Sequence, residues 1–121
     1  MLKLMLLEDD LNVFALLQMF LEGEGYEVAH WQGTEDLDGL VRMIQAEEPD
    51  IALVDVHLRH LNGIDLLRQL RRDSSLDQMR ILMASGMDLA AECLKEGADG
   101  FILKPFMPDE LIYKIERIMG A

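Results

Sequence analysis

The sequence predicts a doubly wound α/β fold built on a five-stranded parallel sheet. Three observations predict it. Short apolar runs of strand length alternate five times with segments whose apolar residues recur at helical spacing. Several of the runs are apolar at every position, as in strands covered on both faces. Polar residues of few kinds, mostly carboxylates, stand directly after the runs. Such alternation places helices on both faces of a parallel sheet, because right-handed crossovers leave few other arrangements.

The elements follow in order. Leu2 to Leu7 reads as a buried strand, and Leu11, Phe14, Leu17 and Leu21 mark the helix after it. Gly23 and Gly25 stop that helix. Tyr26 to His30 is a short strand. Leu37, Leu40, Val41 and Ile44 give a second helix its apolar face, and Pro49 ends it by disfavouring helical geometry at Glu48. Ile51 to Val54 is a third strand that runs into Asp55. The next helix starts near Gly63, with Ile64, Leu67 and Leu70 inward and Arg68, Arg71 and Arg72 outward. Ile81 to Ala84 is a fourth strand. A short helix over about Leu89 to Glu96 is closed by Gly97, and Phe101 to Leu103 is the fifth strand. Pro108 suits a first helical position, with Asp109 and Glu110 near the positive end of a last helix whose buried face is Leu111, Ile115 and Ile118.

Length and composition narrow the function. A chain of 121 residues suits one domain, expected to span 1–121. Hydrophobic residues are 50% of it, so a core can form from Leu, Ile, Met and Val. With 23 acidic against 11 basic side chains the formal charge is -12, which repels nucleic acid and anionic lipid. No nucleic-acid or membrane contact is expected from this chain alone. The single cysteine, Cys93, cannot form an internal disulfide, and no Cys/His spacing suggests zinc. A reduced, cytoplasmic setting fits. The apolar N-terminus reaches Glu8 too soon for a membrane span and carries no secretory cleavage pattern.

In open α/β sheets ligands bind beyond the carboxyl ends of the strands. Glu8, Asp9 and Asp10 follow the first strand here, Asp55 and His57 the third, Ser85 the fourth and Lys104-Pro105 the fifth. Carboxylates so gathered repel one another, and a hard divalent cation relieves the repulsion. Mg²⁺ suits the set, since it takes one or two carboxylates with waters and phosphate oxygens. Lys104 adds a compact positive charge for a phosphate oxygen, and Ser85 a neutral hydroxyl. Asp55, at the end of a rigid strand, can act as a carboxylate nucleophile and form an aspartyl-phosphate. Taken singly, each residue has a plainer role: Asp10 caps a helix, Lys104 is a surface lysine, Ser85 a turn residue, and His57 and His60 loop histidines. The combination carries the signal.

Four motifs then resemble one family. They are Leu6-Leu7-Glu8-Asp9-Asp10, Pro49-Asp50-Ile51-Ala52-Leu53-Val54-Asp55, Leu82-Met83-Ala84-Ser85-Gly86, and Gly97 to Phe106, which reads Gly-Ala-Asp-Gly-Phe-Ile-Leu-Lys-Pro-Phe. In this order, and across essentially the whole chain, they resemble the response-regulator receiver domains of two-component and phosphorelay signalling. The resemblance implies a flavodoxin-like sheet of order 2-1-3-4-5. It implies that Asp55 takes a phosphoryl group from a sensor histidine kinase or a histidine phosphotransfer protein. Asp9 would be a direct Mg²⁺ ligand and Glu8 would act through water, with the backbone carbonyl of His57 completing the shell. Ser85 and Lys104 would contact the phosphoryl group, and Phe101 matches an aromatic switch position. The signalling face would be the fourth helix, fifth strand and fifth helix, with Lys95, Glu96, Tyr113 and Lys114 exposed. A cis Lys104–Pro105 peptide is expected on the same ground. Such a domain assists its own phosphotransfer and dephosphorylation without being a turnover enzyme, serves an output domain or downstream protein the sequence does not name, and allows a homodimer.

The chain departs from the family pattern in places. Proline is usual at Arg59, and Asp-Gly is usual where Asn62-Gly63 stands; both departures are expected to alter loop shape only. The segment from Ser85 to Gly97 is short, and Phe101 replaces the commoner tyrosine. Three rival readings stand beside this one. A haloacid-dehalogenase-type phosphatase needs a second aspartate where His57 stands. A cobalamin-binding module needs a glycine where His60 stands. A degenerate receiver would serve only as an interaction module, against which the intact acid, Asp, Ser and Lys set weighs.

Overall fold

Leu4 to Leu7 are buried without interruption in β1 (Lys3–Leu7), and all five residues of β3 (Ile51–Asp55) are buried. Successive side chains of a strand point to opposite faces. Unbroken burial therefore requires cover on both sides of the sheet, and the helices provide it. The computed structural model describes residues 1–31 and 36–120. Its remaining elements are α1 (Leu11–Gly23), β2 (Glu27–His30), α2 (Leu37–Glu47), α3 (Gly63–Arg72), β4 (Arg80–Ser85), α4 (Ala90–Lys95), β5 (Gly100–Leu103) and α5 (Pro108–Met119). All pairings in the five-stranded sheet are parallel, and the strand order is β2-β1-β3-β4-β5. This is the 2-1-3-4-5 order implied by the resemblance.

The core divides by strand parity. Leu4, Leu6, Ile51, Leu53, Leu82 and Ile102 face α1 and α5, where Phe14, Leu17, Leu21, Leu111 and Ile115 meet them. Met5, Leu7, Val54, Ile81, Met83 and Phe101 face the other way, toward α2, α3 and Cys93 of α4. The starts of α1, α2 and α3 are set by side-chain oxygens that accept otherwise unpaired N–H groups. Asp10 caps α1 through the amides of Asn12 and Val13, Asp36 caps α2 through Gly39, and Asn62 caps α3 through Ile64 and Asp65. Glu48, before Pro49, leaves the helix in a left-handed conformation with φ 49°. Two small features carried no periodic signal. A two-residue antiparallel ladder pairs His57–Leu58 with Leu61–Asn62, and a 3₁₀ turn covers Ser74–Leu76.

The expectation that all three arginines of α3 lie outside is corrected. Arg72 is exposed and the Arg68 side chain stays 39% open, but Arg71 turns inward. Arg71 donates to the carbonyls of Gly97 (2.8 Å) and Met79 (2.9 Å) and to the Asp99 carboxylate (2.7 Å). Gly97 itself has φ 106°, and a Cβ there would lie 2.8 Å from Arg71 Cγ. Arg68 pairs with Glu96 at 3.1 Å, so Glu96 is partly buried rather than fully exposed on the α4 face. These contacts tie α3 to the α4–β5 turn.

Hydrogen bonds that involve a charged partner are worth about 1.5–3 kcal/mol each, and exposed substitutions usually stay within about 0.5 kcal/mol. Arg71→Ala is therefore expected to lower the unfolding free energy by about 2 kcal/mol or more, and Arg72→Ala to leave it nearly unchanged. Urea denaturation followed by the fluorescence of Trp31, the chain's single and buried tryptophan, measures both.

Candidate functional site

The parallel register brings the carboxyl ends of β1, β3, β4 and β5 to one edge. Beyond the ladders, Val56 N–H donates to the Ala84 carbonyl at 2.9 Å and Lys104 N–H to the Ser85 carbonyl at 2.8 Å, which aligns the residues after each strand. Asp55 is 8% exposed and Ser85 fully buried. Lys104 Nζ lies 2.7 Å from Asp55 Oδ2 and 3.1 Å from Glu8 Oε2, across 49 and 96 residues of chain. Burial alone would pull the Lys104 ammonium down. Its hydrogen bonds to Asp55 and Glu8, and their charges, outweigh burial and hold it above its ordinary value of 10.5.

The carboxylates are held by backbone amides as well. Asp55 Oδ1 accepts from His57 N–H at 3.0 Å, and Glu8 Oε1 from Asp10 N–H at 3.1 Å. Asp9 Oδ2 accepts from Arg59 N–H at 2.6 Å. Asp10 is exposed and spends its side chain on capping α1, so it stands apart from the site. Ser85 Oγ accepts from Met87 N–H at 3.1 Å. The His57 side chain is exposed. Among the described residues, no three His, Cys, Asp or Glu side chains gather closely enough to form a metal cage by themselves. Mg²⁺ does not need one, because it binds through one or two carboxylates and otherwise through water and phosphate oxygens. The hard oxygens of Glu8, Asp9 and Asp55 fit that ion.

The comparisons with known proteins agree with this fold. Residues 4–116 match the family model of the response regulator receiver domain. The chain belongs to that family. The DNA-binding response regulator MtrA of Mycobacterium tuberculosis is 32% identical over 114 residues, 93% of this chain and 48% of MtrA. The transcriptional regulatory protein CpxR homolog of Haemophilus influenzae is 35% identical over 118 residues, 97% of this chain and 50% of that protein. The chain thus spans about half the length of the curated relatives it matches. A candidate response regulator of Chloroflexus aurantiacus has the same fold, with a TM-score of 0.86 at 28% identity over 99% of this chain and 98% of that one. So does the receiver domain of a sensor histidine kinase of Pseudomonas aeruginosa, whose structure carries magnesium in its active-site cleft. Its TM-score is 0.83 at 24% identity, covering 99% and 98% of the two chains, a likeness of fold. Receiver domains of response regulators are signalling domains and not turnover enzymes. The phosphatase and cobalamin readings are not favoured.

Two residues of this receiver matter more to the site than their side chains announce. Gly63 is buried, and its N–H donates to the Val56 carbonyl at 2.6 Å. A Cβ built on it would lie 2.4 Å from the Asp55 carbonyl oxygen and 2.8 Å from Val56 Cα. Arg59 does more than shape its loop, since its N–H reaches Asp9; Gly63, which this chain shares with the family pattern, backs Asp55 directly. The turn signal in Asn62-Gly63 could have pointed to the latter. Nothing in the side chain of Arg59 signals a contact made by its backbone. The Lys104–Pro105 peptide is cis, as the resemblance implies. Phe101 is 8% exposed and packs in the core on the face that Ser85 shares by strand parity. The described helices include none long and apolar enough to cross a membrane.

Gly63→Ala must push backbone, which gives less readily than a side chain, so a loss of about 1–3 kcal/mol in unfolding free energy is expected. Labelling of the chain by acetyl phosphate should fall with it; urea titration and intact-mass spectrometry read the two effects. Lys104 adds a pH dependence. Its pKa is raised on folding, so the stabilisation it provides is complete below 10.5 and fades as pH climbs past the folded value. The stability gap between wild type and Lys104→Met should hold steady from about pH 7 to about pH 9 and close in stronger alkali, modest in size because the ammonium is partly open to solvent. Urea midpoints across pH give the comparison.

Proposed function

We propose that this receiver domain takes a phosphoryl group onto Asp55 from a histidine kinase or a histidine phosphotransfer protein, with Mg²⁺ as cofactor. The observation that carries the reading is the buried Asp55 carboxylate at the end of a central strand, with the Lys104 ammonium 2.7 Å from it. A carboxylate oxygen of Asp55 forms the new O–P bond as the P–N bond of the donor breaks, and the histidine ring keeps the electron pair of that bond. Lys104 meets the charge that arrives on the phosphoryl oxygens, which is most of what such transfer asks of a protein. Asp9 and Asp55, with the His57 carbonyl, would hold the metal, and Glu8 would act on it through water. When bound, Mg²⁺ supplies the charge that offsets the crowded carboxylates and the phosphoryl group.

Ser85 gives up its bond from Met87 and donates its hydroxyl to a phosphoryl oxygen. Since Ser85 and Phe101 share one sheet face under α4, a shift of Ser85 opens room that the Phe101 ring can enter. The change surfaces on α4, β5 and α5, where Lys95 and Tyr113 are exposed. That is a packed two-state element biased by a local charge. Any DNA contact we place outside these residues, because a net charge of -12 opposes it here. We place the domain in the cytoplasm, in keeping with its buried free thiol.

Acetyl phosphate with Mg²⁺ should add one phosphoryl group to the wild-type chain and none to Asp55→Asn. Intact-mass spectrometry decides it, and labelling that survives in Asp55→Asn would remove Asp55 from its role.

A further inference from the structure

Arg59 sits between the two short strands of the His57–Asn62 ladder, with φ 50°, a conformation that residues with a Cβ seldom adopt. Its side chain is exposed. Its backbone N–H reaches across 50 residues of chain to Asp9 Oδ2 at 2.6 Å. The three acidic side chains at this edge are therefore held by different donors. Glu8 and Asp55 share Lys104, and each also takes a local amide. The donor to Asp9 comes from the loop after β3.

We propose that the main-chain N–H of Arg59, and not its guanidinium, positions the Asp9 carboxylate for the divalent cation. The inference rests on Asp9 being a metal ligand. A carboxylate has about four acceptor sites on two oxygens, so one N–H bond at Oδ2 leaves room for a cation. The bond removes rotational freedom that Asp9 would otherwise lose on binding metal. Outer partners of this kind orient ligand carboxylates and raise metal affinity. The left-handed turn at Arg59 is part of the device, because it accompanies the aim of the N–H toward the β1–α1 loop. Proline can supply neither that φ nor the N–H, whereas glycine supplies both.

The test uses the whole chain and Mg²⁺ alone, with affinity measured by titration calorimetry. Arg59→Gly should bind Mg²⁺ as wild type does, although the side chain is gone. Arg59→Pro should bind about tenfold more weakly or worse, as should Asp9→Ala. Wild-type affinity in Arg59→Pro beside a weakened Asp9→Ala overturns the inference alone. Equal weakening in Arg59→Gly and Arg59→Pro also overturns it, by moving the effect to the side chain. An Asp9→Ala variant that binds like wild type overturns the metal reading of Asp9 and the inference with it. A metal-free measurement covers the case in which Arg59→Pro fails to fold. The Arg59 amide should exchange hydrogen slowly in wild type and faster in Asp9→Ala; identical rates in the two proteins overturn the proposal.

Discussion

A carboxylate buried at the end of a central strand needs a positive partner, and the ammonium of Lys104 is that partner for Asp55. The contact is demanding. It requires β5 beside β4 and β4 beside β3, each in parallel register, so that a residue 49 positions away arrives at 2.7 Å. It also requires Glu8 at the end of β1 on the opposite side. An unpaired carboxylate here would keep its desolvation cost without the ammonium that offsets it, moderated by the solvent that still reaches Lys104. The sheet order, the strand ends and the ion pair are thus one constraint seen at three scales.

Around that pair the backbone does much of the holding. His57 N–H fixes one Asp55 oxygen, Asp10 N–H one Glu8 oxygen and Arg59 N–H one Asp9 oxygen. Gly63 lets α3 begin against the back of Asp55, where any Cβ would collide with main-chain atoms. Side-chain freedom at the edge is low before any ligand arrives. A site preorganised in this way has little reorganisation left when charge is delivered to it.

The face opposite α1 and α5 carries the parts that can respond. Ser85 and Phe101 lie on it, and the six-residue α4 covers it through Cys93. Burial, and then the charge of Glu92, push the Cys93 thiol above its ordinary range, so it behaves as an apolar filler. Arg71 and Arg68 anchor the far end of α4 to α3 through Gly97, Asp99 and Glu96. The element over Ser85 and Phe101 is thus short, packed on one side and pinned at its end.

The element order, both helix-covered faces of the sheet and the residues at the strand ends were legible in the sequence. Apolar period and strand-end polarity record them directly: Leu4 to Leu7, Ile51 to Val54 and Ile81 to Ala84 could hardly be buried any other way. Glu8, Asp55, Ser85 and Lys104 were legible for the same reason, since a parallel sheet has one carboxyl edge. The inward role of Arg71 was not, because helical spacing places it beside Arg72 and says nothing of the Gly97 carbonyl that waits for it. The Arg59–Asp9 contact was not legible either, and the Asn62-Gly63 turn signal gave only a pointer to the crowding behind Gly63. An amide is carried by every residue except proline, and only the path of the folded chain decides which amide meets which carboxylate and which glycine is crowded by backbone. The sequence by itself determined which charges would come to one edge; the tertiary structure decided how each is held there, because orientation depends on backbone direction and not on residue type.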